Sequence, residues 1–334
     1  MKYDNRTLAV LILVIAALVF PWLVGNPYYL HLITIVYMNA VLGMGFALIH
    51  SVGLVTLGAS AFWGIGAYAS ALLVMKVHLN SWLAMPLSAM IAAAVALGFG
   101  LLAVRYAGLG FVIFTLLFCF VIERVFGYIP IFGGWGGIIG IPSPDSIHLP
   151  FAGLIDFSGR IPFYYLSLLL LFLTIVTFYS LYSSRIGRAW RAVKLDPNLA
   201  AAVGVYTFGY RLGAFVLASG FAAFAGSFYA HYTMVVSPET FGLLKSVYIQ
   251  IYAILGGLEY CILGPLLGAL VFTVLPDIFQ FFPSIEPYVT GVILIAIVIF
   301  LPSGLAGVVQ SALRGIVRLW PSAKRQRGVG ESTP

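Results

Sequence analysis

Apolar runs of about 18 or more residues, each long enough to cross roughly 30 Å of hydrocarbon, recur along the whole of this chain. That feature fixes the solvent before any element is assigned. Ten apolar segments can be traced, near 7–24, 29–50, 53–75, 82–104, 108–127, 162–182, 210–231, 246–258, 262–281 and 285–301. The expected fold is an all-α, polytopic transmembrane helical bundle of about ten spans. Charged residues make up only 8% of the chain, against about 25% in soluble domains, so no large soluble domain fits. Two segments are weak. The third, 53–75, is rich in Gly and Ser, and the eighth, 246–258, is short. Either can be broken or re-entrant if its backbone is buried in protein or lines a cavity.

The cations support this count. With a cytoplasmic N-terminus and every segment crossing, the inside holds Lys2, Arg6, Arg105, Arg185, Arg188, Arg191, Lys194, Arg211, Arg314, Arg318, Lys324, Arg325 and Arg327. The outside holds only Lys76, Arg124, Arg160 and Lys245. Cytoplasmic loops carry the excess of Lys and Arg, and losing one span would invert everything after it. Both termini are then cytoplasmic, in the inner (plasma) membrane of a bacterium. The same clustering at span ends accounts for the net charge of +7 without nucleic acid. The run 8–24 is long for a signal peptide and lacks a small-x-small cleavage site, so it is expected to be retained. Cys119 and Cys261 lie in or beside apolar segments and make no disulfide framework.

Residues 183–210 form a charged island, expected to be a cytoplasmic loop. Arg185, Arg188, Arg191 and Lys194 precede Asp196-Pro197 and the alanines 200–202. Asp196 is a good N-cap, Pro197 suits the first helical position, and Gly204 can close the turn in a left-handed cap. A helix this short is unstable alone and needs a surface to pack on. A basic loop that only sets topology and touches lipid headgroups explains the charges equally well. No GxxxxGK[ST] pattern occurs, so this chain has no phosphate-cradling loop of that kind.

The stretch Gly187-Arg-Ala-Trp-Arg-Ala192, then Asp196, Ala200–Ala202 and Gly204-Val205, resembles the coupling loop of permeases of ATP-binding-cassette (ABC) importers, specifically the LivM family of branched-chain amino acid transporters. Other family-like pieces follow in order: GLVTLGASAFWGIGAYASALL (53–73), FGGWGGIIGIP (132–142), FAAFAGSFYAHYTMVVSPETF (221–241), ILGGLEYCILGPLLGALVFTVLP (254–276) and LPSGLAG (301–307). The resemblance covers about 29–310 and implies a type II ABC importer-like permease domain over 1–310. It implies a translocation pathway for branched-chain amino acids or related small amino acids, amides or organic acids, with ATP hydrolysed on separate subunits. Its implied partners are two ABC ATPase subunits, a sister permease in a heterodimer, and a periplasmic or lipid-anchored substrate-binding protein, all in membrane lipid. Where many members carry His or Gln this chain has Ala59, and Phe132, Gly136 and Glu259 also depart from the common pattern. The substrate class therefore stays open.

On this basis Arg188, Arg191, Lys194, Asp196, Ala201 and Gly204 are the candidates for ATPase coupling. Ser60, Phe62, Gly64, Gly66 and Tyr68 are candidates for lining the pathway, because their glycines allow a broken helix that offers free backbone groups; plain helix packing accounts for them as well. The segment 128–161, with seven glycines, is expected to be an external loop. Its Gly133, Gly134, Asp145 and Asp156 are candidates for binding-protein docking. Glu123, Arg124 and Asp277 lie near outer span ends, where snorkelling and solvation explain them. No metal site, cofactor site, catalytic triad or paired carboxylates are apparent, so the chain itself is not expected to be an enzyme. An ATP-independent secondary transporter or channel is the alternative, although it usually wants intramembrane acidic residues that this chain lacks at mid-span. The basic tail 311–334 is expected to be cytoplasmic and disordered.

Overall fold

The computed structural model describes residues 15–23, 25–106, 108–149, 153–157, 159–278, 291–292, 295–297, 299–301 and 304–319. Residues 7–14 of the first expected span, 285–290 of the last, and the tail from 320 lie outside the described residues. Among the described residues five helices are long and apolar enough to cross a bilayer: α1 (Pro27–His50), α3 (Ser81–Ala103), α4 (Leu109–Tyr128), α5 (Arg160–Ser183) and α8 (Thr207–Thr233). Shorter helices are α2 (Ala59–Met75), α6 (Arg185–Leu195), α7 (Pro197–Ala202), α9 (Leu243–Gly256), α10 (Leu263–Ile278) and α11 (Gly304–Leu319). Helix α11 carries regular structure through 311–319, where the sequence led us to expect a disordered tail. Caps set several starts. Asn26 accepts from the Tyr28 amide ahead of Pro27, and Asn80 accepts from the Trp82 amide.

Helices α1 and α8 form an antiparallel pair at the centre. His31 meets Tyr232 at one end, Gly45 packs on Ala218 midway, and Arg211 donates to the Val52 carbonyl at the other end. Each of these long helices starts a similar unit. In both, a stretch outside the α-helices (52–58, or 234–242 with its 3-10 turn Pro238–Phe241) turns back into the bundle, a half-length helix follows (α2 or α9), and then a third helix (α3 or α10). Helices α2 and α3 pack on α8, while α9 and α10 pack on α1. Because α1 and α8 run in opposite directions, the two units are inverted copies in topology, a common plan among transporters.

Small residues hold these contacts. A Cβ on Gly226 would lie 1.9 Å from the Trp63 carbonyl oxygen, and one on Gly66 would lie 2.0 Å from that of Ala223. The same occurs in the other unit, where a Cβ on Gly268 would lie 1.8 Å from the Tyr252 carbonyl oxygen. Lipid tails are as apolar as leucine, so helices in a bilayer gain by such close backbone approach.

The segment 128–161 forms 3-10 turns and short strands rather than a long helix. Strand β1 (Ile138–Ile139) pairs antiparallel with β4 (Val235–Val236), while β2 (Ile147–Leu149) pairs with β3 (Gly153–Ile155). Buried His231 ties this glycine loop to the bundle, joining the Pro142 carbonyl at 2.7 Å to the Ser70 hydroxyl at 2.9 Å.

Replacing Gly226 with Leu is expected to cost at least about 1–3 kcal/mol, the usual range for overpacking. Gly98→Ala, at a position with nothing within 4 Å, should leave stability unchanged or slightly raised. Thermal unfolding of the two variants in detergent checks the contrast.

Candidate functional site

Two places in the bundle stand apart chemically. The first is the charged island. Helix α6 was not expected as a regular element, yet it runs from Arg185 to Leu195. Ser184 caps it by accepting from the Ile186 amide at 3.1 Å. Gly187, Trp190 and Val193 recur every three residues and are all buried, as an amphipathic helix requires. Trp190 meets Tyr182 edge to face at 5.8 Å, and Gly53 packs on the Lys194 backbone. Arg188, Arg191 and Lys194 point outward and are exposed. Arg191 also donates to the Tyr182 carbonyl.

Asp196 then caps α7, its Oδ1 accepting from the Asn198 amide at 2.8 Å and the Leu199 amide at 3.0 Å. Ala200 is buried, while Ala201 and Gly204 are exposed, with Gly204 at φ +88. The sequence did not single out the apolar side chains between them. Leu195 is 87% exposed, Leu199 65%, Val203 73% and Tyr206 69%. They fall at the end of α6, within α7, just after α7 and just before α8. A run of large apolar groups this exposed, on a loop rich in arginine, has the composition of an interaction surface.

The second place lies at mid-depth. Asn39 is the thirteenth of the 24 residues of α1, and Cys119 the eleventh of the 20 of α4; at 1.5 Å per residue, Asn39 is about 16–18 Å from either end of its helix. The first turns of α2 and α9 meet at this level. Ser60 is the second residue of α2 and Ser246 the fourth of α9. Their hydroxyls lie 2.6 Å apart, the Ser60 amide donates to Ser246, and Cys119 Sγ is 3.2 Å from Ser60. Both half-length helices therefore begin inside the bundle and run away from its middle in opposite directions.

Lys245 stands beside this junction. Its ammonium donates to Asn39 Oδ1 at 3.1 Å and to the Tyr252 hydroxyl at 3.3 Å, and lies 5.1 Å from the Trp63 ring centre. The sequence placed Lys245 among the cations at span ends; the structure puts its ammonium level with the middle of α1. The misplacement arose because α9 starts within the bundle and not at its edge. The one available signal was the shortness of 246–258.

The five pathway candidates of α2 are packed by their own chain. Ser60 sits in the serine pair, Phe62 lies between Phe118 and Phe215, and Gly64 faces Phe241 and Phe126. Gly66 contacts Ala223, and Tyr68 stacks on Phe126 at 4.1 Å. In the glycine loop, Gly133 has φ +80 and Gly134 φ +62, a region that side chains other than glycine enter at a cost. Asp145 accepts from the Ser81 amide, and Asp156 is exposed. Arg124 lies over the Trp135 ring at 5.4 Å, and Asp277 accepts from Tyr28. An apolar groove of about 710 Å3 between α3, α5 and α8, lined by Ala93, Leu173, Gly213 and Phe224 among others, has no polar side chain to hold a charged solute. Among the described residues no group of three or more His, Cys, Asp or Glu converges.

Long apolar helices, inverted units and two helices starting at mid-depth define a membrane transport component. The chain belongs to the family of branched-chain amino acid transport system permease components, whose profile matches residues 28–302, and it is a multi-pass membrane protein. It is 28% identical over 331 residues to the high-affinity branched-chain amino acid transport system permease protein LivM of Escherichia coli (strain K12), covering 93% of this chain and 77% of the relative. It is 27% identical, with the same coverage, to the protein of that name from Salmonella typhimurium (strain LT2). No solved structure matches.

Asp196→Ala removes both cap hydrogen bonds and is expected to cost α7 about 1 kcal/mol. Hydrogen exchange at the Asn198 and Leu199 amides should quicken about fivefold, with the unfolding temperature of the bundle unchanged.

Proposed function

We propose that this chain is one of two permease subunits of an ABC importer for branched-chain amino acids or related small amino acids, amides or organic acids. The complex is a heterodimer with a sister permease, two separate ATPase subunits and a periplasmic or lipid-anchored binding protein, in the bacterial inner membrane with both termini cytoplasmic. The observation that carries this proposal is the set of exposed apolar residues Leu195, Leu199, Val203 and Tyr206, on and just after α6 and α7, where the buried Trp190, Val193 and Ala200 seat the two helices. A short, capped, rigid element tied covalently to α5 and α8 is the part needed to pass closure of an ATPase pair into the bundle. Arg188, Arg191 and Lys194 flank this set and add charge complementarity, while Ala201 and Gly204 keep the end of α7 slim enough to enter a cleft.

The substrate path, in this reading, runs along the open side of α9 at the interface with the sister permease. Leu244 and Val247 are exposed there, and the Ser60 turn of α2 backs that surface from within. The glycine loop, with Gly133, Gly134, Asp145 and Asp156, is the surface offered to the binding protein.

Co-purification with the candidate ATPase subunits in nanodiscs tests the docking role. Leu199→Asp, and separately the pair Ala201→Arg and Gly204→Arg, should lower ATPase retention about tenfold or more, as loss of an interface hot spot does. Arg188→Gln removes only an exposed charge and should change retention less than about fivefold. If wild type retains no ATPase, the island is a topology signal and an ATP-independent transporter becomes the better assignment.

A further inference from the structure

Lys245 is a cation in the middle of an apolar bundle, and among the described residues no carboxylate pairs with it; its ammonium has only the neutral acceptors Asn39 and Tyr252. An ionisable group at such depth is costly and is retained for a role in substrate or ion movement more often than for packing. Packing alone here would be served by a neutral donor. A structural bond to Asn39 Oδ1 needs one N–H, which glutamine supplies without a charge to desolvate.

The surroundings favour an anion. The first turns of α2 and α9 both end at this level, so two sets of N-terminal amides and two positive dipole ends face the same region. One of these amides, at Ser60, is already met by Ser246. The Trp63 indole N–H, in a residue only 2% exposed, has no acceptor among the described residues, and its ring lies beside the Lys245 ammonium. Tyr252 also presents its ring, 5.7 Å from the same ammonium. Cation, helix ends and an unused indole donor stand close together; the Glu123 carboxylate lies against Gly242 at the start of α9, but among the described residues it pairs with neither Lys245 nor the Trp63 indole.

Access is also present. Lys245 as a residue is half-buried, and its neighbours Leu244 and Val247 are exposed on the same helix. The ammonium itself is packed among Asn39, Tyr252 and Trp63, so reaching the open side of α9 requires it to swing on its flexible four-carbon stem. We propose that Lys245 receives the carboxylate of the transported solute at mid-depth, releasing Asn39 as it does so, and so selects for solutes that carry a carboxylate. No covalent step is involved. The site exchanges a neutral amide acceptor for an anionic one and returns to Asn39 when the solute leaves. This inference rests on the transport function proposed above.

The test uses the complete importer in proteoliposomes, with sister permease, ATPases and leucine-loaded binding protein. Lys245→Gln keeps a donor for Asn39 and loses the charge, while Lys245→Arg keeps the charge. Leucine uptake is expected to fall about tenfold or more in the Gln variant, the loss usual for a charge-assisted hydrogen bond. ATPase stimulation by the loaded binding protein should stay within about twofold, the unfolding temperature within about 2 °C, and the Arg variant should recover most of the uptake. Uptake unchanged in the Gln variant overturns the proposal. So does a parallel fall of uptake, ATPase activity and unfolding temperature that Arg does not rescue, which marks Lys245 as a structural pin. A wild-type complex that hydrolyses ATP yet moves no leucine overturns both this assignment and the branched-chain amino acid function beneath it, whereas failure of Lys245 alone leaves that function standing.

Discussion

Every backbone amide and carbonyl in a membrane bundle must find a partner inside the protein, and the two stretches that leave the helix show how this chain meets that demand. In 52–58, the Leu57 amide donates to Thr115, the Gly58 amide donates to Thr56, and the Thr56 carbonyl accepts from Gln250. In 234–242, the Met234 carbonyl accepts from the Gly140 and Ile141 amides, and Val235–Val236 pairs with β1. Each broken segment is thus completed by residues far away in sequence. Without Thr115 and the glycine loop, neither half-length helix could begin inside the bundle.

That satisfaction depends in turn on close packing. Gly58 lies against the Thr115 carbonyl, Gly137 against that of Val236, and Gly226 against that of Trp63. A side chain at Gly226 would part α2 from α8 and withdraw the floor beneath Trp63. The inverted units follow from the same economy: one arrangement of long helix, re-entrant stretch and half helix is used twice in opposite senses around α1 and α8. Their half helices meet at Ser60 and Ser246, and this brings two helix N-termini and Lys245 to one level.

Much of this was legible in the residues. The apolar runs predicted helices where α1, α3, α4, α5 and α8 are found, with ends within a few residues. Asp196, Pro197 and Gly204 predicted the cap, start and stop of α7, because capping is local chemistry. The weak segments 53–75 and 246–258 were also marked as irregular, and they contain the helices that start at mid-depth. What was not legible is specific. Helix α6 was masked by its charge, and its buried Gly187, Trp190 and Val193 have meaning only once Tyr182 and Gly53 lie under them. The exposed Leu195, Leu199, Val203 and Tyr206 looked like ordinary hydrophobic residues until the fold left them uncovered.

The sequence by itself determined the solvent, the helical class, the likeness to amino acid permeases and the local capping of the island, because each depends on composition or on residues within a turn of one another. Only the tertiary structure decided which glycines are contacts, which leucines are exposed and how deep Lys245 lies. Depth in a bundle is set by where a helix begins relative to its neighbours. For Lys245 that neighbour is Asn39, 206 residues away in the chain, and no pattern along the sequence carries a register between segments so far apart.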